Sequence, residues 1–265
     1  MIGLSTYAFF WQHSDRASPA LSLPEMLHRT RLMGASLFQI CDYLPMLEYS
    51  DEQLNSLRIC ASELDMTLEL GTRGILPAHL ERFLHMADIL GVKLVRSMLN
   101  APGHQPTLAE AEILLKQSLP AYESSGVSIA LETYEQVHSN DLIALVETLG
   151  SSALGICLDP ANCVANLEKP TEVIDHCSPY VKDIHVKDFV FTRRGGWVGF
   201  TLEGSKLGEG LLDLDYMLDA VNPLQRGINL VIEHWLTWRD DISETTRVED
   251  EWTWHNLTYL MQKTG

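Results

Sequence analysis

An alternation sustained from one end of the 265-residue chain to the other is the strongest constraint on its fold. Short runs rich in Val, Ile, Leu and aromatic residues take turns with longer amphipathic stretches whose apolar positions recur at helical spacing. "MIGLSTYAF" precedes "SLPEMLHRTRLMG", and "SLFQICDY" precedes "SDEQLNSLRICASELD". The same order repeats behind "MTLELGT", "VKLVRSML", "VSIALETYE", "ALGICLDPA", "VKDIHVKDF" and "INLVIEHW". Ser22, Ser50, Thr107 and Ser139 or Asn140 stand where N-caps belong. Gly34, Gly91, Gly126 and Gly150 close helices ahead of the next strand. Strands separated by helices pair in parallel through right-handed crossovers. Eight such units in about 250 residues predict an α/β fold, a (β/α)8 TIM barrel. No linker or break in composition interrupts the pattern, so one domain over residues 1–265 is expected. A doubly wound open sheet is the competing arrangement. Its dinucleotide-binding form is unlike this chain, because no Gly-x-Gly-x-x-Gly follows the first strand.

Charge narrows the function. The chain has 36 acidic against 19 basic side chains, a formal charge of −17, which disfavours nucleic-acid backbones and anionic membrane surfaces as partners. The N-terminus lacks the basic n-region of a signal peptide, and no apolar run reaches transmembrane length. Cys41, Cys60, Cys157, Cys163 and Cys177 are odd in number and form no Cys-x-x-Cys pair, so they read as reduced thiols of a cytoplasmic protein.

In a TIM barrel the chemistry sits at the C-terminal ends of the strands. The fifth strand, "SIALE", ends in Glu132, and the sixth, "GICLD", in Asp159. The seventh carries His185, and the eighth, "NLVIE", ends in Glu233. Period-two alternation places Glu132 on the face of Ala130 and Ser128, and Asp159 on that of Cys157 and Gly155. One acid at a strand end is an ordinary polar terminus, but four such side chains on four consecutive strands form a constellation. Three carboxylates and an imidazole suit one divalent metal ion, Mn²⁺, Mg²⁺ or Co²⁺, with Zn²⁺ an alternative. Without a cation or protons, carboxylates facing one interior repel and desolvate each other.

On these residues the whole chain resembles the xylose isomerase-like TIM barrels, and within them the sugar phosphate isomerase/epimerase group. "HVKD" matches the group's His-x-Lys-Asp segment, and "LGEGLLDLDYML" is similar to its Gly-x-Gly-x-x-Asp run before the last helix. The resemblance implies a metal held by Glu132, Asp159, His185 and Glu233. It also implies that Glu132 and Glu233 act as the acid–base pair of an isomerase or epimerase of a small keto-sugar, with an enediolate between proton removal and return. A carbohydrate substrate and a homodimer or homotetramer follow from the same resemblance. There is a departure: Asp-x-x-His is replaced by "DPAN", Asp159 to Asn162, and no arginine closely follows His185. The sugar contacts of the ketose 3-epimerases therefore do not carry over. A metal-dependent dehydratase is the neighbouring alternative. An abasic-site endonuclease is a remote one, because the second and third strands end in "CDY" and "LGT", without the further histidines it needs.

Substrate-binding candidates carry two readings each. Alternation points Lys187 inward beside His185, where it meets substrate or turns to the rim and pairs with Asp188 or Glu209. Arg96 pairs with Glu69 across neighbouring strands or faces substrate. Asn162 donates to a substrate hydroxyl or caps its turn. Trp197, with Trp11, His13 and Phe200, walls the pocket or packs the loops. His28, His79, His85, His176 and His255 fall in helical stretches and read as surface or packing residues.

Overall fold

The computed structural model describes residues 1–196 and 198–265. In chain order the regular elements begin β1 (Ile2–Ser5), α1 (Leu23–Leu32), β2 (Leu37–Cys41), α2 (Asp51–Glu63), β3 (Thr67–Gly71), α3 (Pro77–Leu90) and β4 (Leu94–Ser97). They continue α4 (Leu108–Ser125), β5 (Ser128–Glu132), α5 (Ser139–Leu149), β6 (Leu154–Leu158), α6 (Pro160–Cys163), α7 (Pro170–Cys177) and β7 (Val181–Val186). A pair of strands follows, β8 (Asp188–Arg193) and β9 (Phe200–Ser205), then α8 (Leu214–Val221), α9 (Pro223–Arg226), β10 (Asn229–Ile232) and α10 (Ile242–Thr264).

Strands β1 to β7 and β10 close into a parallel barrel in the order β1-β10-β7-β6-β5-β4-β3-β2. The eight strands expected from the sequence are the eight staves. One connection differs. The Gly-rich stretch after the seventh stave is a hairpin: β8 and β9 pair antiparallel from Asp188↔Ser205 to Arg193↔Phe200. Asp188 anchors its base by accepting backbone N–H bonds from Phe189, Gly208, Gly210 and Leu212 at 2.8–3.0 Å. A Cβ on Gly210 would lie 2.2 Å from Asp188 Oδ1, so only glycine lets the chain approach that carboxylate.

The helices start and stop much as their sequence signals foretell. Ser22, Ser50 and Thr107 form capping boxes, and Gly91, Gly126 and Gly150 adopt left-handed backbone at helix ends. Helix α5 is capped one residue earlier than expected, by the His138 ring, while Ser139 opens the helix and turns its hydroxyl to Glu168. The apolar core lies between staves and helices: Leu4, Phe38, Ile40, Leu70, Val95, Ile129, Leu131, Ile156, Leu158, Ile184 and Val186 are buried against it. Fully burying each such side chain contributes about 1.5–3 kcal/mol. Within the barrel the composition inverts. Its interior is lined by Ser5, Gln39, Glu69, Arg96, Glu132, Cys157, Asp159, Asp183, His185 and Glu233, all buried.

Candidate metal centre and active site

The staves bring the four predicted ligands together. Glu132 ends β5, Asp159 follows β6, His185 lies in β7 and Glu233 follows β10, where its N–H donates to Val186 O. His185 Nδ1 is 3.2 Å from Glu132 Oε1, 3.5 Å from Glu233 Oε2 and 4.0 Å from Asp159 Oδ2. One ligating atom from each residue lies within 4.8 Å of the other three.

The surrounding groups fix each member. His185 Nε2 meets Gln39 Oε1 at 2.8 Å, and the Gln39 amide donates to Asp183 Oδ2 (2.7 Å) and Glu69 Oε2 (3.0 Å). With its NH₂ committed to two carboxylates, Gln39 presents its oxygen to His185. The Nε2 hydrogen is thereby fixed, and Nδ1, which faces the carboxylates, is the nitrogen that would give up its proton to hold a cation. Arg96 Nε sits 2.7 Å from Glu132 Oε2 and 3.6 Å separates its Nη1 from Asp42 Oδ2. Asn162 Nδ2 donates to Glu132 Oε1 (2.9 Å) and to Thr133 O (3.2 Å). Lys187 Nζ is 2.7 Å from Asp159 Oδ2 and 3.4 Å from Glu233 Oε2, and lies over the Trp235 ring at 4.5 Å. Ser5 donates its hydroxyl to Glu233 Oε1 at 3.0 Å.

Electrostatics follow from this packing. Burial works against the Glu132 carboxylate, yet Arg96 and then His185 hold it well below the usual carboxylate range. Burial pushes Asp159 up to about 6, a rise that Lys187 only partly offsets. Burial disfavours the His185 imidazolium, but Glu233 and Glu132 outweigh it and raise the ring to about 9. Lys187 is likewise held well up by Asp159 and Glu233 against its burial. The side chains thus create a negative potential that draws positive charge to one spot. The donor set fits a divalent ion. Glu132 Oε2 and Asp159 Oδ2 are buried and balanced by the Arg96 and Lys187 cations at 2.7 Å, and three carboxylate oxygens with one imidazole nitrogen form a donor set for a hard cation.

One expectation needs correction, and one alternative falls away. Arg96 does not pair with Glu69: the register sets Gly71 opposite Arg96, so Glu69 lies two residues lower in the barrel, bonded to Gln39 and to Asn229. Lys187 does not turn to the rim; Asp188, its proposed partner there, is spent on the hairpin base. Asn162 lines the cavity and steadies Glu132, while the turn is capped by Asp159 Oδ1, which accepts the Asn162 N–H at 3.2 Å. Trp197 lies outside the described residues. Phe200 is 63% exposed and Trp11 donates to Leu236 O, so neither walls the cavity over the cluster.

That cavity, about 450 Å³, opens above the cluster and is lined by Glu132, Glu233, Lys187, Arg96 and Asn162. Tyr7, Arg73, Leu202 and Trp235 also line it, and sequence reasoning did not find them. Each lies just past a stave or on the hairpin. Extending the strand-end rule to the first three strands would have reached Tyr7, Asp42 and Arg73.

The sequence pattern described as xylose isomerase-like TIM barrel matches residues 46–254. A 3-oxo-isoapionate decarboxylase of Pectobacterium atrosepticum is 50% identical over 259 residues, covering 98% of this chain and 94% of that protein. A D-psicose 3-epimerase crystallised in the presence of D-fructose superposes with a TM-score of 0.74 at 13% identity, over 98% of this chain and 96% of the other. A xylose isomerase-like TIM barrel protein from Mycobacterium smegmatis in complex with magnesium gives 0.70 at 15% identity, over 97% and 96%. The pattern spans most of the chain and the barrel is complete: the chain belongs to the xylose isomerase-like TIM barrel family, as one of its enzymes.

Proposed function

We propose that the protein decarboxylates a 3-oxo sugar acid, 3-oxo-isoapionate or a close relative. The observation that carries this is 50% identity with a 3-oxo-isoapionate decarboxylase across nearly the full length of both chains. The site suits the chemistry. In a 3-oxo acid the C1–C2 bond breaks, CO₂ leaves, and the bonding pair passes into the C3 carbonyl as an enolate. C2 then takes a proton. An isomerase or epimerase reaches the same kind of enolate by removing a proton beside the carbonyl. One electron sink thus serves both reactions, which is why the sugar-isomerase features of the rim are compatible with a decarboxylase.

A divalent ion held by Glu132, Asp159, His185 and Glu233 would withdraw electrons from the substrate carbonyl as a Lewis acid. Lys187, buried and kept protonated by Asp159 and Glu233, is a fixed positive charge for the enolate oxygen. Glu132 is held as a carboxylate by Arg96 and Asn162, which makes it a poor proton donor. Glu233 faces the cavity and, after taking a proton from solvent, is assigned its delivery to C2. Trp235 and Leu202 flank the cavity and shield the enolate from bulk water.

A sugar isomerase or epimerase is the second reading, favoured by two glutamates facing one cavity. One experiment separates the two. The protein, supplied with Mn²⁺, is incubated in D₂O with 3-oxo-isoapionate and, separately, with neutral keto-sugars. One CO₂ per substrate with one deuterium at C2 is expected. Deuterium exchange into a neutral keto-sugar with no CO₂ from the acid would replace the decarboxylase with an epimerase.

A further inference from the structure

A carboxylated substrate needs a cation in the cavity that is free to meet it. Three side-chain cations line the cavity among the described residues: Arg73, Arg96 and Lys187. Arg96 and Lys187 are only 3% exposed and are engaged by Glu132, Asp42, Asp159 and Glu233. Arg73 is 47% exposed. Its Nε donates to Asp42 Oδ2 at 3.0 Å and its Nη2 to the Tyr7 hydroxyl at 2.8 Å. Tyr7 in turn donates to Asp42 Oδ2 at 2.7 Å, so the guanidinium is gripped along one edge.

The backbone under Arg73 is equally fixed. Thr72 N–H donates to Arg96 O (2.9 Å) and Gly74 N–H to Met98 O (2.8 Å), tying the segment after β3 to β4. Gly74 has φ +98°, and a Cβ there would lie 2.9 Å from Ala101 Cβ, so this presentation requires glycine. A guanidinium held on one edge and half exposed, in the lining of this cavity and of the adjoining pocket beside Tyr43 and Ala101, keeps N–H donors for forked recognition of a carboxylate.

Charge balance agrees. Asp42, Glu132, Asp159 and Glu233 face Arg73, Arg96 and Lys187. With a divalent ion in place, that inner set has one positive charge in excess, which matches a substrate with one carboxylate. Glu135, also in the lining, is exposed and solvated at the mouth.

We propose that Arg73 is the carboxylate-binding residue of this cavity and selects monocarboxylate sugar acids over neutral sugars. This rests on the decarboxylase reading for its substrate class but not for its test. The ion pair forms in the ground state and is lost as CO₂ departs, so it contributes to KM rather than to kcat.

The probes are the 3-hydroxy acid obtained by reducing 3-oxo-isoapionate, which cannot lose CO₂, and its methyl ester. Both are titrated calorimetrically into the Mn²⁺-supplied protein. Wild type is expected to bind the acid about 10-fold or more tighter than the ester. Arg73→Met brings the two affinities within about twofold of each other, and Arg73→Lys retains part of the preference. With turnover, Arg73→Met raises KM about 10-fold and does not lower kcat. A wild type with no preference for the acid, or an Arg73→Met protein that keeps it, overturns the assignment. Because the titration involves no turnover, failure of the wild type to release CO₂ sinks the decarboxylase without touching Arg73. Loss of both ligands together in Arg73→Met, with Arg73→Lys folded and equally unselective, overturns the role of Arg73 alone.

Discussion

Two layers of the same barrel interior are equally buried and oppositely finished. At the rim, Glu132, Asp159, His185 and Glu233 crowd their ligating atoms within 4.8 Å, with Arg96 and Lys187 set against Glu132 and Asp159 at 2.7 Å. One turn of alternation below, Gln39, Glu69, Asp183 and Asn229 lace together. Gln39 donates to both acids, and Asn229 donates to Glu69 at 2.6 Å. The lower layer is closed by amides and is scaffolding. The upper layer is closed by charges and gathers four donor atoms beneath a cavity, which suits a cation and a substrate. Gln39 belongs to both, because its oxygen meets His185 while its nitrogen serves the floor, and His185 Nε2 lies 3.8 Å from Asp183 Oδ2. The difference shows how a buried polar cluster declares its purpose: neutral amides set between acids mark a support, and charged partners around converging donor atoms beneath a cavity mark a site.

The sharpest break of this contrast is Glu233→Gln. It keeps the shape and an acceptor for Ser5 but removes the assigned acid together with one of the four candidate metal ligands, so metal content is measured beside turnover. CO₂ release is expected to fall by about 10²–10⁴-fold, measured at saturating substrate and metal. Loss of less than about 10-fold would move the proton donor elsewhere. His185→Ala tests the ion itself. Elemental analysis is expected to find about one divalent ion per chain in the wild type and markedly less in the variant. Chelation of the wild type should lower its melting temperature, since an ion present at about 100 times its Kd adds about 2.7 kcal/mol. An unchanged melt together with no ion in the wild type would leave the rim without its metal.

Gln39→Leu separates the layers. It removes the acceptor that fixes the His185 ring and leaves the four rim residues in place. Metal affinity, followed by competition with a chromogenic chelator, should weaken by about 10–100-fold. Gln39→Glu restores an acceptor for Nε2–H but places a third acid beside Glu69 and Asp183. It should recover metal affinity relative to Gln39→Leu while lowering stability.

The two layers also differ in how far the sequence discloses them. An acid closing an apolar strand stands out, so Glu132, Asp159 and Glu233 were legible, and alternation was enough to point Lys187 inward. Their positions depend only on where each strand ends. The floor depends on register between strands, which one sequence does not print. Arg96 sits opposite Gly71 rather than level with Glu69, and this misplaced its partner. Gln39, Asp183 and Asn229 look like isolated polar interruptions until the barrel closes and carries them to one level. The β8–β9 hairpin was hidden for another reason. Its glycines dominate the stretch, while the alternation in "DFVFTR" and "FTLEGS" is short and lies on either side of them. Arg73 and Tyr7 sit past the strand ends, where the loop path decides what a side chain faces.

The finest test concerns Glu69, and here the expected effect on metal and on turnover is small. Burial, and then repulsion from Asp183, pushes Glu69 up to about 8 from an ordinary 4.5. The folded protein therefore holds a proton there that the unfolded chain has released over that interval. By linkage the contribution is fully present below pH about 4.5 and declines as pH rises toward about 8, so stability falls across the window. In Glu69→Gln the amide is neutral at every pH. Its NH₂ meets the Gln39 NH₂, which costs on the order of 1 kcal/mol near pH 5, but no further penalty accrues at higher pH. Melting temperature plotted against pH should thus start lower for the variant and descend less steeply, so the two curves converge or cross before pH 9. Metal affinity should stay within about twofold, because Gln39 still holds His185. Parallel curves would show that Glu69 is ionised throughout, held by the two amides that donate to it, with the shared proton on Asp183 instead. The floor would then be a second anionic layer rather than a neutral support, and its contrast with the rim would rest on hydrogen bonding alone.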